Sequence, residues 1–178
     1  MRRLAFLALL PALLILGPAR AQSSDAALET YLLTMPNVRK MVQALESLDA
    51  SAKKNPALAA KLNEDAGASD LDQLLSKCQA DPTIKAAFSS AGISVRDGVM
   101  TQAALAFAAA GAYVQEQTGK PPEGASPTLL ANIKSYRENL AEIEPLIQRL
   151  RKLGILQSDG GVDGEGDEGD ETDEDAGD

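Results

Sequence analysis

No histidine occurs anywhere in the chain, only one cysteine does, and aromatic residues make up just 3% of it. Without histidine there is no Ser–His or Cys–His nucleophilic catalysis and no histidine-ligated metal centre. A single cysteine can build neither an intrachain disulfide nor a thiolate cluster. Cys78 falls in the apolar spacing Leu71, Leu74, Leu75, Cys78, which reads as a small buried hydrophobe rather than a reactive thiol. An intermolecular disulfide is the alternative. Alternating apolar and polar runs of β-branched residues are missing as well, so no strand exists to lead into a glycine-rich phosphate loop. Positive charge is not in excess: 17 Lys and Arg face 26 Asp and Glu, a net charge of −9. That balance is the reverse of a nucleic-acid binder's, and no nucleic-acid partner is expected.

What the chain does contain falls into three parts. At the N-terminus, Arg2 and Arg3 precede an apolar run from Leu4 to Leu16, broken by Gly17-Pro18 and followed by Ala19-Arg20-Ala21. This is the pattern of a secretory signal peptide cleaved before Gln22. The run is shorter than the roughly 20 apolar residues that a membrane helix needs, so no stable span is expected after cleavage. No cysteine stands at the cleavage point to carry a lipid. The expected location is the periplasm or the exterior. Residues 22–157 hold 14 bases and 15 acids and form a nearly neutral domain, whereas residues 158–178 hold 11 acids and no base. The last segment reads as a disordered acidic tail, with too little apolar surface to offset its ordering entropy.

The domain is patterned for helices throughout. Alanine and leucine dominate, and neither loses much side-chain freedom in a helix. The first helix is expected over Asp25 to Thr34, ending before Pro36, and the second over Asn37 to Lys53, with Val38, Met41, Val42, Leu45 and Leu48 on one face. Ala57 to Asn63 forms a short stretch closed by Gly67. Ser69, with Asp72 three residues on, reads as the cap of a helix running to Gln79. Asp81-Pro82 and Ser94 with Asp97 mark two more starts, and Gly92 and Gly119 two stops. Ala103 to Ala112 is almost wholly small or apolar, which places that helix at the centre of the bundle. The last helix carries Ile133, Tyr136, Leu140, Ile143, Ile147 and Leu150, and Pro145 within it must kink it or split it in two. The fold class is all-α, a compact bundle of about five to seven helices.

Three stretches resemble a group of small exported bacterial helical proteins of unknown function: Tyr31 to Val42, Ala91-Gly92-Ile93-Ser94-Val95-Arg96-Asp97 ahead of the alanine-rich helix, and Asn132-Ile133 with Tyr136 and Ala141-Glu142-Ile143. The resemblance spans roughly residues 28–150 and implies a helical fold and an envelope location without an activity. Asn139 stands where that group would be expected to carry histidine, so no metal or acid–base role attaches to this position.

With histidine and thiolate chemistry excluded, carboxylates are the remaining acid–base groups. Glu138 and Glu142 lie one turn apart, and such a pair in a cleft could hydrolyse a glycosidic bond. The simpler reading is a solvated helix face balanced by Lys134 and Arg137. In the tail, Asp163, Glu165, Asp167 and Glu174 match positions one, three, five and twelve of a calcium loop, but Glu168 occupies the place of its turn glycine. The tail is therefore expected to bind cations weakly and without fixed geometry. No cofactor is expected. The favoured function is a non-enzymatic interaction module of the cell envelope, acting on a protein or a small apolar ligand. A small apolar-ligand carrier and a carboxylate-only hydrolase using Glu138 and Glu142 are the alternatives.

Overall fold

In the computed structural model, which describes residues 24–65 and 70–152, helices begin and end where the chain supplies caps. The order is α1 (Ser24–Leu28), α2 (Met35–Lys54), α3 (Pro56–Asp65), α4 (Leu71–Ala80), α5 (Pro82–Ser90), α6 (Val95–Thr118), α7 (Pro127–Glu138) and α8 (Leu140–Lys152). Among the described residues there are thus eight helices and no strand, more helices than the sequence pattern predicts.

The caps explain the boundaries. Asp81 accepts hydrogen bonds from the backbone N–H groups of Thr83 and Ile84 at 2.7 and 3.1 Å, with Pro82 opening α5. Those N–H groups have no partner within the helix, so the side chain satisfies donors that burial would otherwise strand. Ser94 Oγ accepts from Asp97 N at the start of α6 and donates to Asp97 Oδ2. At the end of α5, Gly92 adopts φ 72° while Ile93 N–H bonds back to Phe88 O, a left-handed stop that glycine reaches without steric cost. The start of α4 corrects the expected cap: Asp70, not Ser69, accepts from Gln73 N at 2.7 Å. Ser69 and Gly67 lie outside the described residues, as do residues 1–23 and 153–178, which contain the expected signal peptide and acidic tail.

Two further boundaries differ from expectation for tertiary reasons. The first helix ends at Leu28, not Thr34. Asn132 of α7 takes hold of the backbone beyond it, its Oδ1 accepting from Leu33 N at 2.8 Å and its Nδ2 donating to Tyr31 O at 2.9 Å. The last helical pattern divides at Asn139, not at Pro145, which stays inside α8. Asn139 serves both neighbours. Its side-chain amide donates to Ser135 O at 2.8 Å, closing α7, while its own carbonyl accepts from Glu142 N and Ile143 N, opening α8.

Two helices share the centre. α2 packs against α3, α5, α6 and α8, and α6 packs against α1, α2, α4, α5 and α7. Val38, Met41, Val42, Ala44, Leu45 and Leu48 of α2 are all fully buried, as are Met100, Thr101, Ala104 and Ala108 of α6. The Ala103–Ala112 run is not enclosed on every side: Ala103, Ala106 and Ala109 are half-buried and Ala110 is exposed. Close approach depends on two glycines of α6. At Gly98 the Phe88 ring of α5 occupies the space of a side chain, and at Gly111 the Ile133 side chain of α7 does so. Cys78 is buried in the core cluster, in keeping with its apolar spacing.

α8 lies along α2 through Ile143, Leu146, Ile147 and Leu150, which join the same core. Two ion pairs flank the contact, Arg39 with Glu142 and Glu46 with Arg149. Both helices advance seven residues from one pair to the next, so the two run parallel and in register. The polarity alternates, with arginine on α2 in the first pair and on α8 in the second.

Candidate functional site

The α6–α7 hairpin leaves a concave feature among the described residues. Ile133, 3% exposed, is seated on Gly111, and this close crossing sets the floor. Beyond it the last turns of α6, the connecting loop and the outer side of α7 enclose an open groove of about 550 Å³, lined by Gln115, Pro121, Leu130, Ile133, Lys134, Arg137 and Glu138. Ligand sites in proteins commonly measure about 300–1,000 Å³. Leu130, Ile133 and Arg137 recur at helical spacing and present one stripe of α7 to the groove. Pro121 closes the end nearest the loop.

The groove lining combines apolar Pro121, Leu130 and Ile133 with polar Gln115, Lys134, Arg137 and Glu138. Arg137 Nη1 donates to Gln115 Oε1 at 3.1 Å, a bond that crosses from α7 to α6. Lys134 Nζ lies 3.8 Å from Glu138 Oε1, with both side chains largely in solvent. A pair that long and that exposed contributes little to stability. Lys and Arg also cover apolar surface with their methylene stems while their charged ends stay in water, which extends the apolar lining beyond Pro121, Leu130 and Ile133.

The two carboxylates singled out from the sequence do not share this site. Glu138 lines the groove, whereas Glu142 belongs to α8 and is hydrogen-bonded to Arg39 of α2. The Arg39 guanidinium holds the Glu142 carboxyl below the usual carboxylate range, chiefly through that hydrogen bond. A general acid needs the opposite shift. The calcium-spaced residues Asp163, Glu165, Asp167 and Glu174 lie outside the described residues. Among the described residues, no group of three or more acidic or cysteine side chains is placed to hold a metal ion, and no helix is long and apolar enough to cross a membrane.

Two polar clusters elsewhere are structural. Asn37 Nδ2 donates to the Tyr31 hydroxyl at 3.1 Å, and that hydroxyl lies 2.8 Å from Thr101 Oγ1 and 3.2 Å from Asp97 O. With Asn132 this cluster fastens the segment before α2 onto α6 and α7. Asp49, its side chain 4% exposed, pairs through Oδ2 with Lys53 at 2.7 Å, while Oδ1 has no hydrogen-bond partner.

The groove residues Gln115, Leu130 and Arg137 carry no motif. Their signal in the sequence is the mixing of apolar and basic residues on one face of a helix, Leu130, Ile133, Lys134 and Arg137. That pattern is shared by many amphipathic helices. No protein-family model, no curated protein and no solved structure matches the chain.

Proposed function

We propose that this chain is an exported, non-enzymatic binding module of the cell envelope, and that the α6–α7 groove is where its partner sits. The observation that carries this reading is the groove itself: Leu130, Ile133 and Pro121 in its lining, with Arg137 hydrogen-bonded across it to Gln115. Apolar surface left open beside oriented polar groups is the common form of a binding site. The carboxylate hydrolase is the weaker reading, because Glu142 is committed to Arg39 and only Glu138 reaches the groove. Export rests on the N-terminal pattern of Arg2-Arg3, the apolar run and Ala19-Arg20-Ala21.

Site-specific photo-crosslinking in cells tests this. A photoreactive residue at Leu130 is expected to yield discrete adducts, while the same residue at the exposed Lys85 of α5 yields none. Adducts from position 85 alone, or from neither position, would reject the groove as the binding surface.

A further inference from the structure

We infer that the groove takes a small monocarboxylate amphiphile, its carboxylate on Arg137 and its apolar body along Pro121, Leu130 and Ile133. This rests on reading the groove as the binding site and adds the class of ligand. The geometry at Arg137 points to a carboxylate. Arg39, Arg149, Lys53 and Lys134 each face a carboxylate of the protein. Arg137 instead donates to a neutral amide, Gln115 Oε1 at 3.1 Å. One of the five guanidinium N–H donors is used, and among the described residues no carboxylate pairs with the group. The Nε–Nη2 edge of such a group matches the two oxygens of a carboxylate.

Charge and size narrow the class further. Lys134 and Arg137 set two positive charges against Glu138 in the groove lining. The excess of one matches a monoanion, and a more highly charged head would meet the Glu138 carboxylate. From Leu130 to Arg137 the α7 backbone rises about 10 Å, a distance that a medium-length acyl chain spans. The groove volume of about 550 Å³ is large enough to take such a molecule.

The test is a set of titrations of the mature chain, residues 22–178, with octanoate, octanol and octylammonium. They are followed by the methyl signals of Leu130 and Ile133 and the side-chain Nε–H signal of Arg137. Octanoate is expected to shift all three saturably with a sub-millimolar midpoint, octanol to bind at least tenfold more weakly, and octylammonium to leave them in place. Arg137→Gln should weaken octanoate binding at least tenfold while leaving octanol binding unchanged. Thermal unfolding of the variant shows whether the fold is intact. If Arg137→Gln does not fold, the three head groups on the unaltered protein decide the matter alone. Equal affinity for octanoate and octanol overturns the proposal, and so does the lack of any saturable shift. Discrete photo-adducts from position 130 combined with no octanoate binding would remove the ligand class and leave the groove standing as a site for a different partner. Failure of both experiments would remove the binding site itself.

Discussion

Gly98 stands where a side chain would have to share space with an aromatic ring: a Cβ there would lie 2.0 Å from Phe88 Cε1. On an exposed helix, Gly→Ala is worth about 1 kcal/mol in favour of alanine. At this crossing overpacking opposes that gain, at a cost of about 1–3 kcal/mol. Gly98→Ala is therefore expected to lower the thermal midpoint, and to lower it less in a Phe88→Leu background, where the ring edge is gone. Equal effects in the two backgrounds would show that the α5–α6 contact tolerates the methyl group without displacing Phe88. Asn132 is the second residue whose identity is dictated by its surroundings. It is 4% exposed, and its amide answers one donor and one acceptor of the chain before α2. Asn132→Ala leaves both backbone groups without a partner, each loss costing about 1–3 kcal/mol where the group is buried. Asn132→Asp, nearly the same shape, retains the acceptor for Leu33 N but turns an oxygen toward the Tyr31 carbonyl. At neutral pH it is not expected to restore stability, which denaturant unfolding of the two variants would check.

At the scale of elements, what could be read from the chain is what local chemistry decides. Asp81-Pro82, Ser94 and Gly119 mark helix ends through bonds to their own neighbours, and the structure keeps all three. The end of α1 and the break at Asn139 were not legible. The first depends on Asn132, about a hundred residues away, and the second on where α8 must lie to reach α2. Proline in a helical pattern is a strong local signal, yet the pattern divides at Asn139, whose side-chain amide closes α7 and whose carbonyl opens α8. Nor was the groove legible, since it depends on Ile133 meeting Gly111 across two helices. The α2–α8 contact supplies a test of pairing. Glu142 has its folded pKa lowered by Arg39, so its contribution to stability is present above the unfolded carboxylate value and is lost as pH falls through the folded one. Glu142→Gln should flatten that part of the acid limb of a stability–pH curve. Arg39→Glu should destabilise by setting like charges together, and the exchange Arg39→Glu with Glu142→Arg should recover most of the loss. Failure of the exchange to recover it would mean that the two side chains act independently of each other.

At the scale of the whole molecule, the net negative charge is concentrated in the last residues of the sequence. Eleven of the chain's 26 acidic residues stand in residues 158–178, which carry no basic residue. Removing residues 158–178 is expected to leave the helical circular dichroism and the thermal midpoint nearly unchanged, and to weaken binding to basic partners most at low salt. Calorimetric titration of calcium into the full and shortened chains checks the companion expectation of loose cation binding. A single micromolar site lost on truncation would establish Asp163, Glu165, Asp167 and Glu174 as a calcium loop. If the N-terminal pattern is cleaved as proposed, the mature chain should begin at Gln22, which intact-mass measurement of protein recovered from the native host reads directly.

The parallel pairing of α2 with α8 also bears on when the molecule can be complete. The hydrogen bonds Arg39–Glu142 and Arg149–Glu46 each join residues 103 positions apart. A chain that emerges N-terminus first delivers α2 early and then holds it without its last neighbour until nearly every residue has followed. Closing so long a loop carries an entropic cost that only the finished contact offsets. A product that stops short of Ile143 lacks that contact entirely, and one face of α2 stays open to water and to proteases. Among the described helices α8 thus completes the cover of α2, so products that end before it should be cleared while chains that include it survive.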